Sequence, residues 1–293
     1  MNDNDNPPGS PHTRVQDILS LPPLPAIACR LLDLVAREDC NIEELAALIE
    51  QDPGLAARII GIANSAYFAR PTEICSVSEA IIRVLGLNLV RGIAIGIALS
   101  KPFDACACPD FQLERYWYRA MQTASLAGRL GSLTALPASE RSCLFLSGLL
   151  HNLGQLVLVH AFPDRMSRVF RTWFERQTES LLALEARYIS MTEIEAGSII
   201  AHRWQLPSVT TAVLEFRRDP WRAGGMAPLV HLVAYCAELA SAWYDDPAAP
   251  ASQADAGTVL ADIEPARFDK AIDQVRAQET QTRTLAQSLA HHH

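Results

Sequence analysis

Lysine is nearly missing from this chain: its 293 residues include only Lys101 and Lys270, against 23 arginines. Charged residues make up 20% and the net charge is −8. Residues 1–108 carry 8 basic and 13 acidic groups, residues 109–222 carry 13 and 11, and residues 223–293 carry 4 and 9. No stretch is strongly basic, which argues against a large nucleic-acid footprint. Paired cysteines are missing as well. The seven cysteines (29, 40, 75, 106, 108, 143 and 236) include no C-x-x-C, and Cys106-Ala107-Cys108 has the wrong spacing for a zinc knuckle. Their scatter through apolar surroundings predicts reduced thiols in a cytoplasmic protein. No run approaches the ~18 consecutive apolar residues of a membrane helix. There is no Walker phosphate loop, no G-x-G-x-x-G after a strand, no H-E-x-x-H and no G-x-S-x-G. No alternating strand pattern and no internal repeat is found.

What is present is helical punctuation. Asn41 with Glu44, Ser76 with Glu79 and Thr192 with Glu195 have capping-box spacing, and Asp52-Pro53 is a cap followed by proline at the first helical position. These signals predict helices over 26–36, from the Asn41 cap onward, and over 53–63, 80–85 and 87–99, the last apolar nearly all round and therefore central. Residues 101–109 read as a linker. Helices then follow over 111–130, 138–160, 163–177, 181–188, 192–204, 207–217 and 227–243, with one terminal helix over 265–289. The class is all-α. The expected organisation is a lead (1–12), a domain over 13–245 with lobes at 13–100 and 109–245, a loop (246–263), a terminal helix (264–289) and a tag remnant (290–293) containing three of the eight histidines.

One stretch invites a chemical reading: Gly148-Leu149-Leu150-His151-Asn152-Leu153-Gly154-Gln155. A helical His followed by an acid is how HD-type phosphohydrolases present ligands to a divalent cation that activates water. Here the acid is Asn152, a neutral and poorer ligand. With the other landmarks in order, the chain resembles the HDOD family, the HD-related output domain. Leu21-Pro22-Pro23-Leu24-Pro25-Ala26 resembles the family's opening. Ile49-Glu50-Gln51-Asp52-Pro53-Gly54-Leu55, followed by Ile62-Ala63-Asn64-Ser65-Ala66-Tyr67-Phe68, resembles its N-lobe signature. Ser78-Glu79-Ala80-Ile81, Leu85-Gly86 and Trp204-Gln205-Leu206-Pro207 complete the series over about residues 21–218.

The resemblance implies a degenerate metal site. Aligned with catalytic HD enzymes, the ligand positions become Arg119, His151, Asn152, Glu193, Arg217, Arg218 and Ala234. Only His151 keeps its ligand type. A guanidinium stays protonated, has no lone pair to donate and repels a metal ion. The expectation is a non-catalytic protein with no metal and no cofactor. Two fillings of the vestigial site are open: Arg119 or Arg217 pairs with Glu193, or Arg119, Arg217 and Arg218 bind an anion such as a nucleotide phosphate.

Other candidates read as structural. His160, His202 and His231 lack partners at ligand spacing. Asn64-Ser65 ends a helix, and Trp117 within Tyr116-Trp117-Tyr118 belongs to the core. The expected function is a bacterial signalling module acting through protein partners, stand-alone because the length leaves no room for a receiver domain. The alternatives are an HD-type phosphohydrolase with unusual ligands and a nucleotide sensor without hydrolysis. Oligomeric state and the role of the terminal helix stay open.

Overall fold

The structure is a computed structural model that describes residues 23–37, 41–64, 73–176, 179–253 and 258–290. Ala290 of the expected tag remnant belongs to the last helix, whereas the expected lead, the remnant's His291, His292 and His293, Cys40 and Ser65 lie outside the described residues. So do Leu21, Pro22, Ala66, Tyr67 and Phe68 of the family landmarks. Among the described residues the elements are helical and no strand occurs.

The first half comprises α1 (Ala26–Ala36), α2 (Ile42–Glu50), α3 (Pro53–Ala63), α4 (Val77–Ala80) and α5 (Leu87–Ser100). The caps read from the sequence are made: Asn41 accepts from the Glu44 N–H, Asp52 from Leu55 and Ser76 from Glu79. Asn64 ends α3, and its side-chain amide bonds both backbone groups of Ile74 at 2.8 Å. The helix expected over 80–85 is different. After α4 the backbone widens into a π turn at Ile81–Leu85, which Gly86 stops at φ +79°.

The second half comprises α6 (Leu113–Gly131), α7 (Ala138–Leu150), α8 (Leu153–Ala161), α9 (Pro163–Arg176), α10 (Leu181–Tyr188), α11 (Glu193–Arg203), α12 (Ser208–Phe216) and α13 (Ala227–Asp245). The single helix expected over 138–160 is two. It breaks at Asn152, whose backbone turns to φ −107°, ψ 15°. The terminal helix is also two, α14 (Pro265–Arg276) and α15 (Glu279–Ala290). Their apolar faces serve different clusters: Phe268, Ile272 and Val275 pack with Val233 and Trp243, while Leu285 and Leu289 join the larger core. One straight helix could not reach both. The loop between α13 and α14 carries a 3-10 turn at Thr258–Leu260, and Gln253 ties it down through the carbonyls of Leu260 and Ile263.

Residues 101–109 have no regular helix, but Phe103, Ala105 and Cys108 are buried. Leu31, Ile59, Ile97, Trp117, Leu149 and Ile200 belong to one continuous core that passes this segment. Two stretches, Ala138–Ala161 and Pro220–Asp245, do have the length and apolar composition of a membrane helix, contrary to the run-length reading. In each, most of the apolar window (83% and 56%) is buried against the rest of the protein, as in core helices.

Two close crossings set the position of the His151 region. At Gly148 a Cβ would lie 2.8 Å from the Ala124 Cα of α6. At Gly154 it would lie 1.8 Å from the Glu193 carbonyl oxygen, with the Gly197 nitrogen at 2.7 Å. The glycines of the 148–155 motif therefore let α7 touch α6 and α8 touch α11. Gly154→Ala is expected to cost about 3 kcal/mol, the upper end of ordinary overpacking. Gly61→Ala, where a Cβ meets nothing within 4 Å, should instead gain about 0.5–1 kcal/mol from helix propensity. Urea denaturation of both variants checks this; an unchanged midpoint for Gly154→Ala contradicts the crossing.

Candidate functional site

The crossings bring four helix ends together. His151 closes α7 and is fully buried. Asn152 follows at the break. Glu193 is the first residue of α11, behind a capping box in which Thr192 and Glu195 satisfy each other's backbone N–H groups. Arg217 ends α12. Arg119 sits on α6 and Ala234 on α13.

Arg217 and Glu193 form an ion pair from Arg217 Nη2 to Glu193 Oε1, with side chains 5% and 4% exposed. Of the two pairings open from the sequence, this is the one present. Both charges have favourable helix-end positions, the carboxylate at an N-terminus and the guanidinium at a C-terminus. Burial lowers the pKa of Arg217, and the Glu193 charge opposes that shift. Arg119 is half-buried and makes no ion pair among the described residues. Burial pulls its pKa down to about 10, so it remains a cation at neutral pH.

His151 Nδ1 lies 2.7 Å from the Gly148 carbonyl oxygen. A carbonyl only accepts, so Nδ1 carries the proton. Burial, then the nearby Arg119 and Arg217 charges, push the His151 pKa well below the ordinary value. The ring is therefore neutral, and its Nε2 lone pair is buried without a partner. Asn152 donates from Nδ2 to the Tyr116 carbonyl at 3.3 Å, leaving its buried Oδ1 unpartnered. This is the tautomer a metal-ligating histidine uses.

The rest of the donor set does not fit a divalent metal. Arg119, Arg217 and Arg218 cannot ligate, Ala234 has no donor, and Glu193 is engaged by Arg217. One imidazole nitrogen and one amide oxygen fall short of a hydrolytic centre. No cluster of three or more His, Cys, Asp or Glu with metal-holding geometry occurs among the described residues. Arg119, Arg217, Arg218 and Ala234 do converge elsewhere: they line one cleft of about 270 Å³, with Ala237, Glu238, Ser241, Ala242 and Asp245.

Sequence reasoning missed Glu185 on α10. It is fully buried, and its Oε2 accepts from the Glu193 N–H at 2.8 Å. Burial, reinforced by the Glu193 charge, pushes its pKa up to about 9. The signal was available, because Leu181, Leu184, Glu185 and Tyr188 have the i, i+3, i+4, i+7 spacing of an apolar stripe. The remaining histidines lie apart from the cleft. His160 accepts from the Asp104 N–H, His202 faces Glu215 at 3.4 Å, and His231 stacks edge-on with Trp221. Tyr116, Trp117 and Tyr118 are all buried.

Fold and site together define an all-helical protein in which a buried Arg217–Glu193 ion pair lies beside a neutral, buried His151. Residues 21–220 match the HDOD domain, and the chain belongs to the HDOD family. An uncharacterized protein of Treponema pallidum (strain Nichols) is 27% identical over 226 residues. The match covers 76% of this chain and 42% of that one, so the chain spans less than half of this relative's length. Among solved structures, a Marinobacter aquaeolei VT8 chain provisionally named for signal transduction has a TM-score of 0.76 at 24% identity, covering 95% of this chain and 64% of that one. A Shewanella amazonensis SB2B chain provisionally named a phosphohydrolase gives 0.70 at 20%, covering 94% and 97%. An HDOD domain protein of Geobacter sulfurreducens gives 0.67 at 21%, covering 92% and 98%. At these identities the likeness is one of fold.

The buried Glu185 makes stability depend on pH. The unfolded carboxyl ionises near pH ~4.3, while the folded one keeps its proton to about 9. Between these values the folded state binds the extra proton, so stability falls as pH rises, by up to ~1.4 kcal/mol per unit from this group. Glu185→Gln keeps the acceptor for the Glu193 N–H and removes the titration. Denaturant midpoints from pH 5 to pH 9 should show wild type losing stability against Glu185→Gln as pH rises; parallel curves contradict a buried protonated carboxyl.

Proposed function

We propose that this HDOD chain is a non-catalytic bacterial signalling module of the cytoplasm that works through contacts with protein partners and uses no metal or cofactor. The observation carrying this reading is the Arg217–Glu193 ion pair, which engages the one carboxylate at the ligand positions and sets a fixed cation beside His151. A catalytic HD centre needs several lone-pair donors around one cation, and this site offers guanidinium groups in their place. Six free cysteines among the described residues suit a reducing compartment. The signalling assignment is supported by the match of residues 21–220 to the HDOD domain.

Two measurements on the full chain test this reading. With Mn²⁺, Mg²⁺ or Zn²⁺ supplied, hydrolysis of bis-p-nitrophenyl phosphate and of a cyclic dinucleotide should be the same for wild type and His151→Ala. Turnover that His151→Ala abolishes would establish the phosphohydrolase alternative. Affinity capture from the native organism should return the same protein partner reproducibly, and a clean absence of partners under signalling conditions would contradict the interaction role.

A further inference from the structure

The cleft lined by Arg119, Arg217 and Arg218 has unbalanced positive charge. Arg217 is matched by Glu193, and Asp245 at the rim is held by Arg115 through two bonds of 2.9 and 2.7 Å. That leaves Arg119 and Arg218 facing one exposed carboxylate, Glu238. Donors are left over too. Arg217 is 7% exposed, yet its buried Nη1 has no partner, and neither does the buried Nε of Arg119. An unsatisfied buried donor costs about 1–3 kcal/mol, and both donors belong to side chains that line the cleft, an arrangement that an acceptor-rich ligand would complete.

We propose that this cleft binds a small molecule through a phosphate dianion, held by Arg119 and Arg218 and by the free N–H groups of Arg217. A phosphate offers three acceptor oxygens and close to two negative charges, matching the two guanidinium groups that lack a partner carboxylate. The Ser241 hydroxyl, which also lines the cleft, is a further donor. The volume of about 270 Å³ exceeds that of a bare ion. Ala234, Ala237 and Ala242 form an apolar wall for an organic body attached to the phosphate. Ion pair and ligand have separate roles: Arg217 is anchored by Glu193 and shapes the floor, while Arg119 and Arg218 supply the net charge. The proposal goes beyond the signalling role and stands whether or not a protein partner exists.

Isothermal titration calorimetry on the full chain in metal-depleted buffer tests it, with inorganic phosphate, adenosine 5′-monophosphate and adenosine as probes. One phosphate-bearing probe per chain should bind saturably, and adenosine should not. Tighter binding of the monophosphate identifies an ester as the ligand, and equal binding identifies free phosphate. Arg119→Met and Arg218→Met should each weaken binding about tenfold or more, the effect of losing one charge-assisted contact. Without ligand, Arg119→Met should melt at or above the wild-type temperature, because it removes a desolvated cation with no partner. That separates a ligand contact from a structural arginine. Adenosine binding as well as its monophosphate, no saturable binding at millimolar phosphate, or unchanged affinity in both variants would overturn the proposal. Turnover of phosphodiester probes concerns the catalytic question alone and leaves this result untouched.

Discussion

The site depends on one buried contact, the ion pair between Arg217 and Glu193. Moving two charges out of water is expensive, and their mutual attraction offsets that only where geometry and surroundings are favourable. Here they are. Glu193 starts α11 and Arg217 ends α12, so both helix dipoles favour the charge they meet. The pair forms because α8 and α11 approach to backbone contact at Gly154 and Gly197, which sets the first turn of α11 against the His151-Asn152 break. The 148–155 motif thus has two layers. Its glycines are packing devices, and its His-Asn pair is what they position.

The electrostatics around the pair follow from it. His151 is neutral because it is buried beside arginines, with its proton fixed on Nδ1 by the Gly148 carbonyl. Burial, reinforced by the neighbouring Glu193 charge, raises the pKa of Glu185 and favours its neutral form. An imidazole poised as a metal ligand is therefore surrounded by groups that disfavour a metal. The excess of arginine over free carboxylate at the neighbouring cleft follows from the same arrangement, since Glu193 is already engaged by Arg217.

Much of this was legible in sequence because the signals were local. The caps at Asn41, Asp52, Ser76 and Thr192 depend on residues three apart, and each is made. The candidates Arg119, His151, Glu193, Arg217, Arg218 and Ala234 came from the family resemblance, and the fold gathers them around the pair and its cleft. What was not legible depends on tertiary packing. Nothing in the 277–278 dipeptide breaks a helix; the break follows from two core clusters competing for the faces of α14 and α15. The break at Asn152 has no proline to announce it. Glu185 was passed over because a carboxylate on an apolar stripe looks like an exception until a second acid is placed beside it.

On this account Arg217 and Glu193 act as one unit that organises the site. A double-mutant cycle of Glu193→Gln and Arg217→Met, read as unfolding free energies, tests it most directly. Each single change should cost about 3–5 kcal/mol, because it strands a buried partner. The double variant should cost far less than the sum, giving a coupling of at least about 1 kcal/mol. Additive costs, within about 0.5 kcal/mol, would mean that the two charges are independent and that the pair is not what organises this site.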